Sequence, residues 1–353
     1  MKITGAAAIV KCLLEQDATT VFGYPGGQII DLFDALYNEP KINQILTSHE
    51  QGAAHAAEGY ARATGKTGVV IATSGPGATN LVTGIADAYL DSVPLVAITG
   101  NVPVTLLGRD SFQEVDIAGV TMPITKHNFI VKDPAELCDA IRRAFYIARS
   151  DRPGPVLVDV PKNVQQALVE YAQTPVAPPH KPPMQADVTD AVALIDGAKR
   201  PVIYAGGGCI ASGASAELIA FAEHIKAPIA SSMMGLTAVP TDSPYCAGLI
   251  GMHGSASVAK LIGKADLIIA VGARFSDRVA GDRSKFCKHA KILHIDIDAA
   301  EIDKNVTTDA HIRGDVAEVL KLLTHAVAKK TDDGMIKLNA ELKAAAPLPP
   351  CRG

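Results

Sequence analysis

The chain has 353 residues, of which 48% are hydrophobic and 20% are charged, and its formal net charge is −4. This length suggests two domains, at ~100–200 residues per domain, and the composition is that of an ordinary globular protein with a sizeable core. The acidic balance argues against a nucleic-acid partner. No apolar run reaches the roughly 18 residues that span a membrane, so we expect no membrane insertion.

The first half of the chain predicts an α/β domain. Apolar residues between positions 3 and 14 recur at helical spacing, and Lys11 and Glu15 interrupt them, which favours a first core helix over a signal peptide. Short continuous apolar runs follow, as is typical of strands buried on both faces of a parallel sheet. The predicted strands are Thr20–Phe22, Gln44–Ser48, Gly68–Ala72, Leu95–Thr99 and Val156–Val160.

A second alternating pattern begins near Val188, after a segment (Glu170–Pro183) that holds five prolines and predicts a linker. It indicates a doubly wound nucleotide-binding sheet. The predicted strands are Pro201–Ala205, Pro228–Ser231, Asp266–Val271 and Lys291–Asp296, with helices at Ala214–Ile225, Ser255–Ile262 and Val316–Ala328. We therefore predict two doubly wound parallel-sheet α/β domains (1–168 and 188–328), a linker (169–187) and a tail without packed structure (329–353).

The six cysteines are Cys12, Cys138, Cys209, Cys246, Cys287 and Cys351. They form no CxxC pair and have no nearby His at metal-ligand spacing. This pattern argues against a zinc site and a disulfide framework, and it favours a reducing cytoplasm. Cys12 and Cys138 lie in apolar surroundings and are predicted to be buried thiols.

The stretch His49–Gly100 carries the most information. Its first helix is so rich in Ala and Gly that it buries little apolar area per residue, and such residues fit close approach by a neighbouring helix or by a flat ligand. Glu50 opens this helix. It is either an acid placed favourably against the helix dipole or a desolvated carboxyl group that shares its proton with a bound ring.

Glycine-rich turns follow several predicted strands. Ser74-Gly-Pro-Gly joins a strand to a helix N-terminus, as a phosphate cradle does, but it lacks the GxGxxG and GxxxxGK[ST] spacings. Tyr24-Pro-Gly-Gly is compatible with a simple turn, whereas Gly206–Gly208 follow a strand where a nucleotide would cross the sheet. Taken alone, Lys162 predicts a solvated lysine and His253 a structural histidine.

Eight segments, spread in order over most of residues 1–320, resemble the large catalytic subunits of the acetolactate (acetohydroxyacid) synthase family of thiamine-diphosphate enzymes. Together they are far more specific than any single glycine motif. They are Val21–Ile30, His49–Gly100, Arg109–Asp116, Ile124–Asn128, Arg152–Lys162, Gly251–Gly254, Val271–Val279 and His294–Glu301.

The resemblance implies that the first domain binds the pyrimidine half of thiamine diphosphate and that Glu50 activates the coenzyme through its aminopyrimidine ring. It implies further coenzyme contacts from Tyr24, Pro25, Gly26, Gly27, Thr73, Pro76, Gly77 and Asn80. Phe112 and Gln113 would face the partner subunit's active site and place the second keto acid. Lys162 would supply positive charge near the substrate channel.

The resemblance also implies that the second domain binds FAD in a non-redox, mainly structural role. The implied FAD-binding residues are Arg152, Gly206, Gly207, Gly208, Gly251, Met252, His253, Gly272, Arg274, Asp296, Ile297 and Asp315. The family's third domain carries a GDG…N motif for Mg²⁺ and the diphosphate. No GDG occurs in this sequence, so we expect no metal ligands in this chain and no activity from the chain alone.

The reaction that the resemblance implies is the decarboxylative condensation of pyruvate with a second 2-keto acid, pyruvate or 2-oxobutyrate, in branched-chain amino-acid biosynthesis. A homodimer or larger assembly, with a small regulatory subunit as a further partner, is implied as well. The alternatives are another FAD-containing relative (a pyruvate oxidase or a carboligase) and a non-catalytic FAD-binding fragment. Glu50 disfavours a glyoxylate carboligase, which lacks this acid.

Overall fold

Two six-stranded sheets organise the chain, as a computed structural model shows for residues 1–185, 187–281 and 286–346. One compact unit spans Met1–His180 (unit 1) and the other Lys181–Gly353 (unit 2). The division at residue 180 falls within the predicted linker. All strand pairs within the two large sheets are parallel, which confirms the predicted α/β class.

Unit 1 contains eight strands and eight α-helices among its residues. The strands are β1 (Lys2–Thr4), β2 (Thr20–Gly23), β3 (Asn43–Leu46), β4 (Gly68–Ala72), β5 (Leu95–Asn101), β6 (His127–Ile130), β7 (Pro155–Pro161) and β8 (Leu168–Glu170). The helices are α1 (Gly5–Glu15), α2 (Ile30–Tyr37), α3 (Glu50–Thr64), α4 (Pro76–Thr79), α5 (Val82–Asp91), α6 (Ile117–Thr121), α7 (Leu137–Arg149) and α8 (Lys162–Gln166). Short 3₁₀ helices lie at Val104–Leu106, Met122–Ile124 and Pro134–Glu136.

The large sheet of unit 1 has the strand order β3-β2-β4-β5-β7-β6 and is covered by helices on both faces. Every residue of β4, β5 and β7 is buried, which explains their continuous apolar runs. Helices α1, α2 and α7 form one hydrophobic cluster with the sheet, and α3 and α5 form the other. The result is a three-layer arrangement with a core on each side of the sheet.

Helices α3 and α5 lie very close together. A Cβ atom added to Gly84 of α5 would lie only 2.4 Å from the Cβ atom of Ala54 in α3. The small residues of this stretch therefore serve the close helix approach that their composition predicts.

Unit 2 contains a sheet of order β11-β10-β9-β12-β13-β14. Its strands are β9 (Pro201–Ala205), β10 (Ile229–Ser231), β11 (Cys246–Leu249), β12 (Leu267–Val271), β13 (Lys291–Asp296) and β14 (Ala310–Arg313). Its helices are α9 (Thr189–Gly197), α10 (Gly207–Ala211), α11 (Ser215–Ile225), α12 (Ala256–Ile262), α13 (Asp277–Ala280), α14 (Val316–Ala326) and α15 (Gly334–Ala345), with a 3₁₀ helix at Met233–Ala238.

Two elements lie in segments that the sequence predicts to be a linker and an unpacked tail. Strand β8, at the start of the predicted linker, pairs antiparallel with β1. Helix α15 lies in the predicted tail and packs against α12. In α15, Met335 is buried, and Asn339 Nδ2 and Lys343 Nζ donate hydrogen bonds to the carbonyl oxygen of Cys246 at 3.2 Å and 2.8 Å. The prediction of an unpacked tail is therefore wrong for residues 334–345, and residues 347–353 lie outside the described residues.

Within the described ranges, the helices are too short or too polar to cross a lipid bilayer. The thiols of Cys12, Cys138, Cys209, Cys246 and Cys287 are free. Cys12 and Cys138 are buried, as their apolar surroundings predict. Cys351 lies outside the described residues.

Candidate active site

Unit 1 has a topological switch point between β2 and β4. The connection from β2 leads to β3 on one side, and the chain then crosses to β4 on the other side. In an open parallel sheet, ligands bind in the crevice that such a switch creates at the carboxyl ends of the strands. The turns that follow these strands, 24–28 after β2 and 73–75 after β4, flank this crevice.

Glu50 lies at the start of α3, which His49 caps by accepting the Gln51 N–H on its Nδ1 atom at 3.1 Å. The Glu50 residue is 8% exposed. Its Oε2 atom accepts a hydrogen bond of 2.9 Å from Asn80 Nδ2. Its Oε1 atom faces Gly77, where an added Cβ would lie 3.2 Å away. One carboxylate oxygen is thus fixed by the protein, and the other faces a position without a side chain.

Thr73 joins the two turns. Its Oγ1 atom accepts the Gln28 N–H at 3.2 Å. A Cβ atom on Gly26 would lie 2.5 Å from Thr73 Cγ2, and one on Gly77 would lie 2.7 Å from it. Any larger residue at either glycine would therefore displace Thr73. The structure thus brings Gly26, Thr73, Gly77 and Asn80 together around Glu50.

Helix α8 holds the first turn from the other side. Lys162 Nζ donates to the Gly27 carbonyl oxygen at 2.8 Å. Gln165 Nε2 donates to the carbonyl oxygens of Gln28 and Val160 at 2.8 Å and 2.9 Å. The Lys162 ammonium group therefore binds the turn itself. Gln165 is not among the residues that the sequence predicts, since a glutamine in a polar five-residue helix carries no pattern that marks it.

Three buried polar atoms near the crevice have no hydrogen-bond partner among the described residues: Ser74 Oγ, Gln28 Oε1 and Gln165 Oε1. Buried polar atoms are normally paired with protein, water or ligand. Gly27 offers open space beside them, because an added Cβ would meet no described atom within 4 Å. The residues at this crevice therefore fit a flat ligand with polar groups, such as the ring portion of thiamine diphosphate.

The remaining predicted residues of unit 1 lie at the rim. Gln113 reaches the turn after β4, since a Cβ on Gly75 would lie 2.7 Å from its carbonyl oxygen. Phe112 is 84% exposed and packs into no core. Tyr24 and Pro76 are exposed, and Pro25 is half-buried.

A buried acid that is not among the predicted site residues lies at the carboxyl ends of β5 and β7. Asp159 accepts hydrogen bonds from Thr99 Oγ1 at 2.7 Å and from Asn101 Nδ2 at 2.6 Å. Burial raises the pKa of Asp159 to about 6, although these two hydrogen bonds oppose the rise. A signal existed in the sequence, because Asp159 is the one acid within the apolar run of β7.

Unit 1 also brings together His55, Glu58 and Asp87, whose ligand-type atoms lie within 4.8 Å of one another. Arg62 already pairs with Glu58 at 2.5 Å and with Asp91 at 2.7 Å. Burial raises the pKa of Glu58, against the effect of Arg62. The arginine supplies the positive charge that this cluster needs, so we interpret it as an ion-pair network.

Unit 2 has its own switch point, between β9 and β12. Gly206–Gly208 follow β9, and Gly272 follows β12. A Cβ on Gly206 would lie 2.1 Å from the Gly272 carbonyl oxygen, and one on Gly208 would lie 2.7 Å from Gly272 Cα. These glycines therefore let the two loops pack against each other. Gly207 is half-buried, and an added Cβ would lie 3.1 Å from Met234 Cβ.

The two predicted acids of unit 2 serve the backbone. Asp315 caps α14 by accepting the Ala317 N–H at 3.1 Å, and its carboxylate also accepts from Ser212 Oγ at 2.8 Å and Lys181 Nζ at 3.0 Å. Burial opposes ionisation of Asp315, but the bonds from Lys181 and Ser212 outweigh it and lower its pKa. Asp296 is buried at the end of β13, and Oδ1 accepts the Asp298 N–H at 2.9 Å.

The other implied FAD residues lie in loops at the same edge of this sheet, except one. Met252 and His253 are exposed, and Gly251 has φ +97° and packs against the Arg278 carbonyl. Arg274 and Ile297 are half-buried and follow β12 and β13. Arg152 belongs to unit 1, where its Nε donates to Ser92 Oγ at 2.7 Å. A switch-point crevice with an arginine beside it fits a dinucleotide such as FAD.

Comparison with known proteins agrees with this geometry. Residues 3–120 match the "Thiamine pyrophosphate enzyme, N-terminal TPP binding domain" family, and residues 188–323 match the "Thiamine pyrophosphate enzyme, central domain" family. The chain belongs to the thiamine pyrophosphate enzyme family. Thiamine pyrophosphate is the same compound as thiamine diphosphate, so the predicted family is confirmed.

Three relatives illustrate the similarity. The chain is 49% identical over 340 residues to a probable acetolactate synthase large subunit of Methanocaldococcus jannaschii, covering 93% of this chain and 57% of the relative. It is 50% identical to the acetolactate synthase large subunit of Corynebacterium glutamicum (94% and 54% covered) and 47% identical to the acetolactate synthase of Arthrospira platensis (90% and 57% covered). The chain thus spans about half the length of the curated relatives it matches.

Proposed function

We propose that the chain forms the pyrimidine-binding and central parts of an acetolactate synthase. That enzyme condenses pyruvate with pyruvate or 2-oxobutyrate, with loss of carbon dioxide, toward the branched-chain amino acids. The observation that carries the proposal is the buried Glu50 carboxylate. Asn80 holds one of its oxygens, and the side-chain-free Gly77 faces the other, at the switch point of the sheet.

Each residue then has a definite task. When bound, thiamine diphosphate supplies the carbon nucleophile that attacks the keto-acid carbonyl. Glu50 would hold and share a proton through Oε1, while the Asn80 amide keeps Oε2 in place. Gly26 and Gly77 keep side chains out of the crevice, and Lys162 fixes the backbone of the turn at Gly27.

We further propose that FAD binds the carboxyl edge of the unit 2 sheet. Support comes from the switch point between β9 and β12 and from Arg274, a guanidinium group suited to a phosphate oxygen. The same proposal includes Mg²⁺ as a cofactor and a homodimeric or larger assembly. It also includes a small regulatory subunit as a partner and a cytoplasmic location. No residue of this chain is assigned to the metal.

The test is acetolactate formation from pyruvate with added thiamine diphosphate, Mg²⁺ and FAD. Two proteins are assayed: this chain, and the chain extended to the full length of its relatives. Each is tested as wild type, as Glu50→Gln and as the control Glu136→Gln. Glu136 is an exposed acid of unit 1, so this control makes the same change of charge away from the crevice. Product that disappears only in Glu50→Gln supports the proposal.

Product at an unchanged rate in Glu50→Gln would remove Glu50 from the mechanism. The synthase activity would be refuted if wild-type protein, both as this chain and at full length, bound flavin but formed no acetolactate. That result would instead support a non-catalytic FAD-binding protein.

A further inference from the structure

The segment Gly108–Glu114, here called the Glu114 loop, has an unusual backbone. Gly108, Asp110 and Gln113 have φ values of +74°, +53° and +59°. Left-handed conformations are uncommon for residues other than glycine, and they persist only where the surroundings enforce them. Two non-glycine residues in this state within a seven-residue loop require a specific restraint.

The side chain of Glu114 provides that restraint. Its Oε1 atom accepts the Gly108 N–H, and its Oε2 atom accepts the Ser111 N–H at 3.0 Å and the Arg109 N–H at 3.3 Å. The Glu114 N–H in turn donates to the Ser111 carbonyl oxygen at 2.9 Å. A carboxylate forms stronger hydrogen bonds with backbone N–H groups than a neutral acceptor does. One side chain thus closes the whole loop on itself.

This closed loop touches the candidate active site at one end. The Gln113 backbone packs on Gly75, in the turn that carries Thr73 and leads to Gly77. The neighbouring Phe112 is 84% exposed, so packing covers little of its surface. The direction in which Phe112 and Gln113 are presented therefore depends on the backbone that Glu114 holds.

We propose that Glu114 is a positioning residue for the second keto acid: it touches no substrate, and it fixes the backbone from which Phe112 and Gln113 meet that substrate. The inference rests on the proposed acetolactate synthase function. It assigns a part in acceptor selection to a carboxylate that binds the backbone of its own loop.

The first experiment does not depend on activity. Amide hydrogen exchange is measured on this chain as wild type, Glu114→Ala, Glu114→Gln and the control Glu136→Ala. In Glu114→Ala, exchange at Gly108, Arg109 and Ser111 should speed up by about tenfold or more, because three hydrogen bonds to a charged group are lost. In Glu114→Gln, the exchange rates of these three amides should lie between those of wild type and Glu114→Ala. The exchange rates of the β4 amides should not change. Unchanged exchange at these three amides would overturn the proposal whatever the enzyme's activity.

The second experiment measures acceptor choice in the catalytically active full-length protein, with pyruvate and 2-oxobutyrate in competition. Glu114→Ala should change the ratio of the two products by about threefold or more, and a threefold change corresponds to about 0.6 kcal/mol. In Glu114→Gln, the ratio should lie closer to that of wild type. A general loss of folded protein lowers both products equally and leaves their ratio unchanged. Faster exchange with an unaltered product ratio would overturn the positioning role, whereas no product from wild type would overturn the proposed function alone.

Discussion

Replacing Asp159 by Asn is expected to stabilise the protein at neutral pH. Asp159 is 2% exposed, and burial raises the pKa of its carboxyl group from an ordinary value of 3.8 to about 6. At about 1.4 kcal/mol per pKa unit, ionising Asp159 in the folded state costs about 3 kcal/mol. An asparagine avoids this cost. Its oxygen can accept from Asn101, and the Thr99 hydroxyl can accept from its amide.

The sign follows from proton binding. Between about pH 4 and pH 6 the folded protein keeps a proton on Asp159 that the unfolded chain has released. The stability that this group contributes therefore falls as the pH rises through this window and stays low above it. The Asn variant has no such loss. The free energy of unfolding of Asp159→Asn should therefore equal that of wild type at about pH 4 and exceed it by about 3 kcal/mol above pH 6.5.

Urea unfolding followed by far-ultraviolet circular dichroism measures this difference across the pH range. Asp139→Asn is the matched control, because Asp139 lies on the exposed face of α7 and the variant has the same net charge. A difference between Asp159→Asn and wild type that does not change with pH would refute the reasoning. So would an Asn variant that is less stable than wild type at neutral pH.

Three further predictions concern glycines and a helix cap. Gly84→Ala should lower stability by about 1–3 kcal/mol because its Cβ meets Ala54, whereas Gly59→Ala, at an open position of α3, should raise it by about 0.5–1 kcal/mol; urea titration checks both. In the full-length protein, Gly77→Val should abolish acetolactate formation while circular dichroism stays native, since its side chain would fill the space beside Glu50. Asp315→Ala should lower the urea midpoint, at a cost of about 1–2 kcal/mol for the lost cap of α14. Equal midpoints for wild type and variant would contradict the first and third of these.

The strands that the sequence predicts best are the central ones. Strands β4, β9 and β12 are buried at every residue, so each is a continuous apolar run between turns. In the two large sheets, the missed strands β6, β11 and β14 all lie at an edge, where one side lacks a neighbouring strand. Each of them contains residues that are half-buried or exposed. Apolar continuity therefore cannot reveal them.

The candidate site shows a similar limit. The glycine turns that follow β2 and β4 are visible in the sequence, because turn residues directly after a buried strand mark its carboxyl end. The links between them are not visible. Thr73 packs against Gly26 of the first turn and Gly77 of α4, and Lys162 binds the Gly27 carbonyl across more than a hundred residues of chain. Such contacts depend on the three-dimensional path of the chain, and no local pattern encodes them.

The antiparallel pair formed by β1 and β8 brings the start of unit 1 beside its last strand. The Met1 carbonyl oxygen accepts the Tyr171 N–H at 2.8 Å, and Ile3 lies opposite Val169. Chain ends that lie side by side allow circular permutation. A short linker from residue 172 back to residue 1, with new ends opened in the exposed turn near Lys132, would keep every strand pair of the unit. Unit 1 could in this way be prepared as a self-contained module, with its two turns and Glu50 in their present places.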